Sequence, residues 1–391
     1  MITMRSLCTE LGLSPTYQNE TQLSKLMTWC QENISQDYPI SGSPTERYAR
    51  YYQLATKYLD EFIPNVPDDF MAAVAKFSGM STFAYAVQEG YHRFLESHPI
   101  PKHCINQPNP QKMTLLHIGA VNGRYHTVVT LLKQGADAAA LNAQRQSPLF
   151  QAVWLPILFD DHILQTKTQI FQALLTANPG GLVAKDFEGN TLLHSLASRD
   201  VFIKLAQEVI GKAPQLVATQ NNQSRYPIHV AILNNQLLMC QLLLGQKEVC
   251  KLADGKQHNA LDYAACYGNA DIVNCCIQLG GMLEKRDGES RTPLLLAAQY
   301  GNQPAVGALI AANADLNVVD YRGFTILHYA VEGNYHALTE VLLAKVPAKM
   351  VNQEDKEGHT PLYYANAHRN EQLISLLIGK GATPIAQSAS P

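Results

Sequence analysis

Apolar residues recur along this chain in paired blocks. Leu115-Leu116 is followed by Leu131-Leu132, Leu294-Leu295-Leu296 by Leu309-Ile310, and Ile326-Leu327 by Leu342-Leu343. Each block has helical spacing, and polar turns such as Gly135-Ala136-Asp137 and Asn313-Ala314-Asp315 separate the blocks. The first block of each pair opens at an equivalent point. Ser81, Thr114, Ser147, Thr191, Tyr226, Asn259, Thr292, Thr325 and Thr360 mark these anchors, with gaps by subtraction of 33, 33, 44, 35, 33, 33, 33 and 35 residues. So regular a period predicts helix pairs stacked side by side, each sealing its apolar flank against the next, in place of one globular core.

The residues around each anchor have physical reasons. Thr or Ser at a helix start accepts a bond from a free N–H of the first turn. Pro148, Pro227, Pro293 and Pro361 fall at the first helical position, where the missing N–H has no intrahelical role. Five residues past the anchor stand Ala86, Ala152, Ala231, Ala264, Ala297, Ala330 and Ala365, with Gly119 and Leu196 as exceptions. Small side chains there let neighbouring helices approach. Gly90, Gly123, Gly268 and Gly301, nine past the anchor, are placed to end the first helix in a left-handed conformation. Tyr226 and Asn259 replace the capping residue and predict weaker helix starts. Two residues before the anchor, glycine occurs at Gly79, Gly189, Gly323 and Gly358, whereas Lys112, Arg145, Ser224, Gln257 and Ser290 stand elsewhere. The Ser81 unit matches only in part and reads as a degenerate first repeat.

Thr325-Ile326-Leu327-His328-Tyr329-Ala330, Thr292-Pro293-Leu294-Leu295-Leu296-Ala297 and Thr360-Pro361-Leu362-Tyr363-Tyr364-Ala365 resemble the T-P-L-H-x-A signature of the ankyrin repeat, whose period is about 33 residues. The resemblance implies an all-α fold, an α-solenoid of about nine ankyrin-like helix-pair repeats with β-turn fingers over residues 76–384. It also implies that His117, His194, His229 and His328, in the fourth place of the motif, bridge backbone groups of adjacent fingers. Ankyrin-like stacks hold a partner protein through finger tips and the outward side of the first helices. Applied here, that rule points to Tyr321, Arg322 and Phe324 as an energetic centre flanked by Arg291 and His359, with Arg225, His258 and Arg145 on other fingers.

Residues 1–75 lie outside the period and read as three short helices. Leu23, Leu26, Met27, Cys30 and Ile34 share one helical face; Ser43-Pro44-Thr45-Glu46 is a capping box opening a second helix; Phe70, Val74 and Phe77 share a face of a third. This segment reads as a cap on the Ser81 repeat, with a separate binding or catalytic module as the alternative. The repeat at 143–185 carries 11 extra residues near Trp154–His162, between its two helices. That stretch is either added core or an exposed docking patch. Residues 385–391 read as a disordered tail.

Composition narrows the function. A net charge of −3 with 16% charged residues gives no basic stripe, so nucleic acid is not an expected partner. No apolar run reaches the length of a membrane span. The start lacks an apolar signal segment, and eight cysteines without metal spacing suit a reducing, cytoplasmic setting as buried thiols. Four histidines belong to the repeat motif; His92, His98, His103 and Cys104 match no zinc pattern, and Asp160-Asp161-His162 reads as a solvated turn. No P-loop, nucleophile elbow, H-E-x-x-H or dinucleotide fingerprint is present. The expectation is a non-catalytic scaffold or adaptor without cofactor or metal. Two alternatives stand beside it. One is an effector of an intracellular bacterium that binds a host protein in the host cytosol. The other is an enzyme with its chemistry in residues 1–75. Partner identity and oligomeric state are left open by the residues.

Overall fold

The computed structural model describes residues 81–154, 161–246 and 248–383. The expectations for the N-terminal helices, for residues 155–160 of the enlarged repeat and for the C-terminal tail lie outside the described residues. Within them the regular structure is helical, with no β-strand element. The chain divides into two units, residues 1–187 and 188–391.

In the first unit, the first helices of the repeats are α1 (Thr82–Glu89), α4 (Leu115–Val121) and α6 (Pro148–Ala152). Their partners are α2 (His92–Ser97), α5 (Tyr125–Lys133) and α7 (Asp161–Ala177), and a short α3 (Lys102–Ile105) joins the first two repeats. α1, α4 and α6 pack in sequence, as do α2, α5 and α7. In the enlarged repeat the extra length from Asp161 onward is helix. α7 has 17 residues where α5 has nine, and His162 lies in its first turn, not in a turn between helices.

The second unit repeats the theme six times. First helices α8 (Leu192–Ala197), α10 (Pro227–Leu233), α12 (Ala260–Tyr267), α14 (Pro293–Gln299), α16 (Ile326–Glu332) and α18 (Pro361–Ala367) form one layer. Second helices α9 (Ile203–Lys212), α11 (Leu237–Leu244), α13 (Ala270–Gln278), α15 (Gln303–Ala311), α17 (His336–Leu343) and α19 (Glu371–Gly379) form the other. The two-residue insertions at the 35-residue gaps coincide with 3-10 turns, Pro214–Ala218 and Ala348–Asn352.

The core follows the period. All seven alanines five past the anchor are fully buried. At Gly119 an added Cβ would sit 3.1 Å from Val128 and 3.5 Å from Val87, so even alanine would be tight between the layers. Cys240, Cys275 and Cys276 replace aliphatic residues in second helices and are buried.

Two expectations about helix ends are corrected. Asn259 is not a weak start: its side chain accepts from the N–H of Asp262 at 3.0 Å, and Asp262 accepts from the Asn259 N–H at 2.8 Å, a reciprocal capping box. Gly268 does not end its helix left-handed; its φ is −80°. There a Cβ would lie 2.8 Å from the Ala264 carbonyl oxygen, so glycine serves close approach. The left-handed turn holds at Gly90, Gly123 and Gly301, and Asn235, Asn334 and Arg369 adopt it in the same column.

Candidate partner-binding face

The fingers are built by a column the sequence reading passed over. Five residues before each of seven anchors stands Asn109, Asn142, Asn221, Asp254, Asp287, Asp320 or Asp355, and one side-chain oxygen accepts two backbone N–H groups, two and four residues on. That double acceptance folds each tip. It also demands positive φ two residues before the anchor. Gly189, Gly323 and Gly358 meet the demand freely; Lys112, Arg145, Ser224, Gln257 and Ser290 adopt φ of 57–66° despite their side chains.

Successive fingers are tied by backbone bonds. In the first unit Ala143 donates to Gln111 and Phe187 to Gln144, at 3.2 and 2.8 Å. In the second, Asn222 donates to Glu188, Tyr321 to Glu289 and Lys356 to Arg322, at 2.9, 3.2 and 2.9 Å. Three of the four motif histidines add a second tie; the expectation is corrected at His229, whose buried Nε2 has no hydrogen-bond partner among the described residues and whose ring stacks on Tyr263 at 4.2 Å. Nδ1 of His117, His194 and His328 accepts from the N–H of its own anchor threonine. Nε2 then donates to the carbonyl of Gln146, Arg225 or His359 on the next finger, at 2.9–3.1 Å. Burial holds His117 and His328 below the ordinary histidine pKa, so the neutral tautomer that makes both bonds persists at neutral pH. Asp262 occupies the histidine position of its repeat. Lacking a donor, it recruits Lys285, whose ammonium donates to Asp262 and to the Gln257 carbonyl.

In the second unit the other oxygen of the finger aspartate points at the first helix. Tyr263, Tyr329 and Tyr364 donate their hydroxyls to Asp254, Asp320 and Asp355 at 2.9, 2.8 and 2.7 Å. Where Leu296 replaces tyrosine, Asp287 receives Nε and a terminal nitrogen of Arg291 at 2.8 and 2.7 Å, and His258 at 3.0 Å. Burial alone would raise Asp254, Asp287 and Asp355, but the hydrogen bonds they accept outweigh it and hold each carboxyl below its usual range.

These ties place the expected site residues. Arg225, His258, Arg291, Phe324 and His359 all immediately precede an anchor. Their N–H groups are the second donors to the finger side chain, which turns the residue toward the first helices. Phe324 is 3% exposed, packed against His328, Tyr329 and Tyr364, so the expectation that it forms an exposed tip is corrected. Arg291 is likewise buried and bound to Asp287, Glu289 and Gln299. Arg322 is half-buried, its guanidinium 3.9 Å from the centre of the Phe324 ring. Tyr321 is 52% exposed at a tip. Arg145 is exposed but belongs to the first unit.

The structure adds exposed aromatic surface that the sequence reading missed. Tyr267 and Tyr300, each eight past its anchor, have rings 5.1 Å apart and a hydroxyl pair at 3.3 Å. Tyr263 lies 6.1 Å from Tyr267 on the inner side. Tyr363 stacks on His359 at 3.7 Å. Tyr267, Tyr300, Tyr321 and Tyr363 are 40–52% exposed. Tyr267 and Tyr300 pair at the C-terminal ends of the first helices α12 and α14, Tyr321 stands on a finger, and Tyr363 lies in the first turn of α18. The repeated tyrosine eight past the anchor was the available signal.

Comparison with known proteins agrees with this geometry. A family model described as ankyrin repeats (3 copies) matches residues 246–320 and again 294–388. Residues 246–388 carry ankyrin repeats. The transient receptor potential cation channel subfamily A member 1 of Drosophila melanogaster is 30% identical over 209 residues, 50% of this chain and 17% of that protein. Its Homo sapiens counterpart is 22% identical over 374 residues, 77% of this chain and 33% of that protein. The nuclear factor NF-kappa-B p105 subunit of Gallus gallus is 24% identical over 216 residues, 53% and 22% respectively. The chain therefore spans no more than a third of the length of these relatives. Ankyrin repeats are in general protein–protein interaction modules and generally non-catalytic. No described helix is long and apolar enough to cross a membrane.

Proposed function

We propose that this chain is a non-catalytic adaptor that holds a partner protein against the finger and first-helix face of its second unit. The observation that carries the reading is the set of exposed tyrosines on four consecutive repeats, Tyr267, Tyr300, Tyr321 and Tyr363, each 40–52% exposed. Tyrosine brings a large amphipathic ring with few rotatable bonds, so it binds at small entropic cost. Arg322, half-buried, is pre-oriented by Asp320, so a partner meets a fixed donor. The reading includes a reducing cytoplasmic setting. Burial raises the thiols of Cys240 and Cys276 well above their ordinary pKa and leaves them chemically inert.

The test is comparative capture. Full-length chain would be immobilised and exposed to lysate of its own source and of any host cell. A parallel bait would carry Tyr267→Ser, Tyr300→Ser, Tyr321→Ser and Arg322→Ala, and a third Leu238→Ser on a second helix. A protein retained by the first and third baits but lost from the second supports the reading. Equal retention by all three would sink it.

A further inference from the structure

A cleft lies in the first unit, away from the fingers. It has a volume of about 340 Å³ and is formed by the α1–α2 turn, the α4–α5 turn and the added turns of α7. Its chemistry is that of His92, Arg124, His126, Thr127 and His162, with Glu89 as the one carboxylate among its lining residues. The insertion is what makes the third wall, because His162 and Thr166 belong to the extra length of α7.

Several observations converge on the charge of an occupant. α5 has nine residues and no side-chain cap at its N-terminus, and the N–H groups of Tyr125, His126 and Thr127 have no partner among the described residues. Thr127 is 1% exposed, lines the cleft, and its hydroxyl has no hydrogen-bond partner. Arg124 is fixed at the rim by donation of Nε to the Gln88 carbonyl at 2.8 Å. The His92 and His126 rings lie 5.0 Å apart. Beneath the wall, Lys167 is 1% exposed, and its ammonium is held by the carbonyls of Ala120, Val121 and Gln151 at 2.7, 2.7 and 3.2 Å. It forms no ion pair among the described residues. Its Cε lies 3.8 Å from where a Cβ on Gly123, another lining residue, would stand. An open helix N-terminus, an orphan hydroxyl and the Arg124 guanidinium at the rim all favour a bound anion.

We propose that this cleft binds a phosphate group, with the first-turn N–H groups of α5 and the Thr127 hydroxyl donating to its oxygens and Arg124 closing over it. The volume suits a phosphate monoester of modest size. The group can come from a soluble metabolite or from a lipid headgroup, and the experiment separates the two.

Isothermal titration of the full chain with inorganic phosphate and with glycerol 3-phosphate, at matched ionic strength, tests the soluble source. Co-sedimentation with phosphatidylcholine vesicles containing phosphatidic acid, against vesicles without it, tests the lipid. Saturable binding in either arm is expected, weakened about tenfold or more in Arg124→Gln and Thr127→Val. His162→Gln, on the exposed first turn of α7, leaves the fold intact and is expected to weaken binding several-fold. It decides the matter if the other variants fold poorly. No saturable binding in either arm, or binding that all the variants retain at wild-type strength, would overturn the proposal.

Discussion

Replacing Ser224, Gln257 and Ser290 together by glycine should stabilise the second unit. Each holds a left-handed backbone, with φ of 58°, 66° and 60°, because the finger aspartate or asparagine takes two N–H groups at once. A side chain in that region costs about 1–2 kcal/mol, while glycine forfeits about 0.5–1 kcal/mol of chain entropy on folding. The net gain is about 0.5 kcal/mol per site, or about 1.5 kcal/mol for three sites in separate repeats. The reverse exchange has a graded outcome set by neighbours. At Gly358 a new Cβ meets nothing within 4 Å, so Gly358→Ala should cost only the conformational term, about 1 kcal/mol. At Gly323 it meets the Lys356 nitrogen at 3.0 Å and Asp355 Cα at 3.2 Å, both backbone of the next finger. At Gly189 it meets the Asn222 nitrogen at 2.8 Å. The order of loss should be Gly189→Ala, then Gly323→Ala, then Gly358→Ala, with the first two losing about 2 kcal/mol or more because a backbone contact must also yield. Urea unfolding followed by circular dichroism, with unchanged m, measures all four. A triple-glycine variant no more stable than the parent, or alanine losses indifferent to the neighbouring finger, would refute the reasoning.

Tyr329→Phe should lower stability by about 1–3 kcal/mol in the same assay, because the buried Asp320 loses its 2.8 Å hydroxyl donor. Acid should weaken the second unit in two stages. Burial holds His229 and His328 below the ordinary 6.5, so the unfolded chain takes up their protons first and stability declines as pH falls below about 6.5. Asp254, Asp287 and Asp355 have depressed folded pKa values, so their contribution is complete above the unfolded value of about 3.9 and declines as pH falls through the folded ones. A stability profile flat from about pH 7 down to about pH 4 would contradict this. Lys167 has the opposite signature: burial lowers its pKa from 10.5 to about 8, so the unfolded chain binds the extra proton between those values. Parent stability relative to Lys167→Met should therefore rise from pH 8 to 10.5, by on the order of 3 kcal/mol. A pH-independent difference between the two would count against a buried ammonium.

Much of the architecture was readable because the period is written in residues with one job each. The alanine column, most anchor threonines and three of the four motif histidines make the contacts their chemistry suggests, while the Ser147 and Thr360 hydroxyls and His229 Nε2 do not. The asparagine and aspartate column at the fingers was equally regular yet passed unread, since such residues look like ordinary loop polarity until their two N–H partners are seen. The left-handed column was partly hidden, because only the fold compels Lys112 or Gln257 into a conformation their side chains disfavour. Phe324 and Arg291 were expected at tips from proximity in sequence. Donation of their N–H groups to Asp320 and Asp287 turns them inward, a three-dimensional consequence that spacing does not display. Tyr267 and Tyr300 meet only across repeats, so their pairing belongs to the stack. Lys167 sits on helix added by the insertion, where the period offers no template.

The most direct trial is amide hydrogen exchange of the full chain with and without a captured partner. Slower exchange at residues 256–258, 289–291 and 321–323, with the second helices Leu237–Leu244 and Gln303–Ala311 unchanged, is the predicted result. Protection of those second helices with the fingers unaffected would place the partner on the other side and contradict the account.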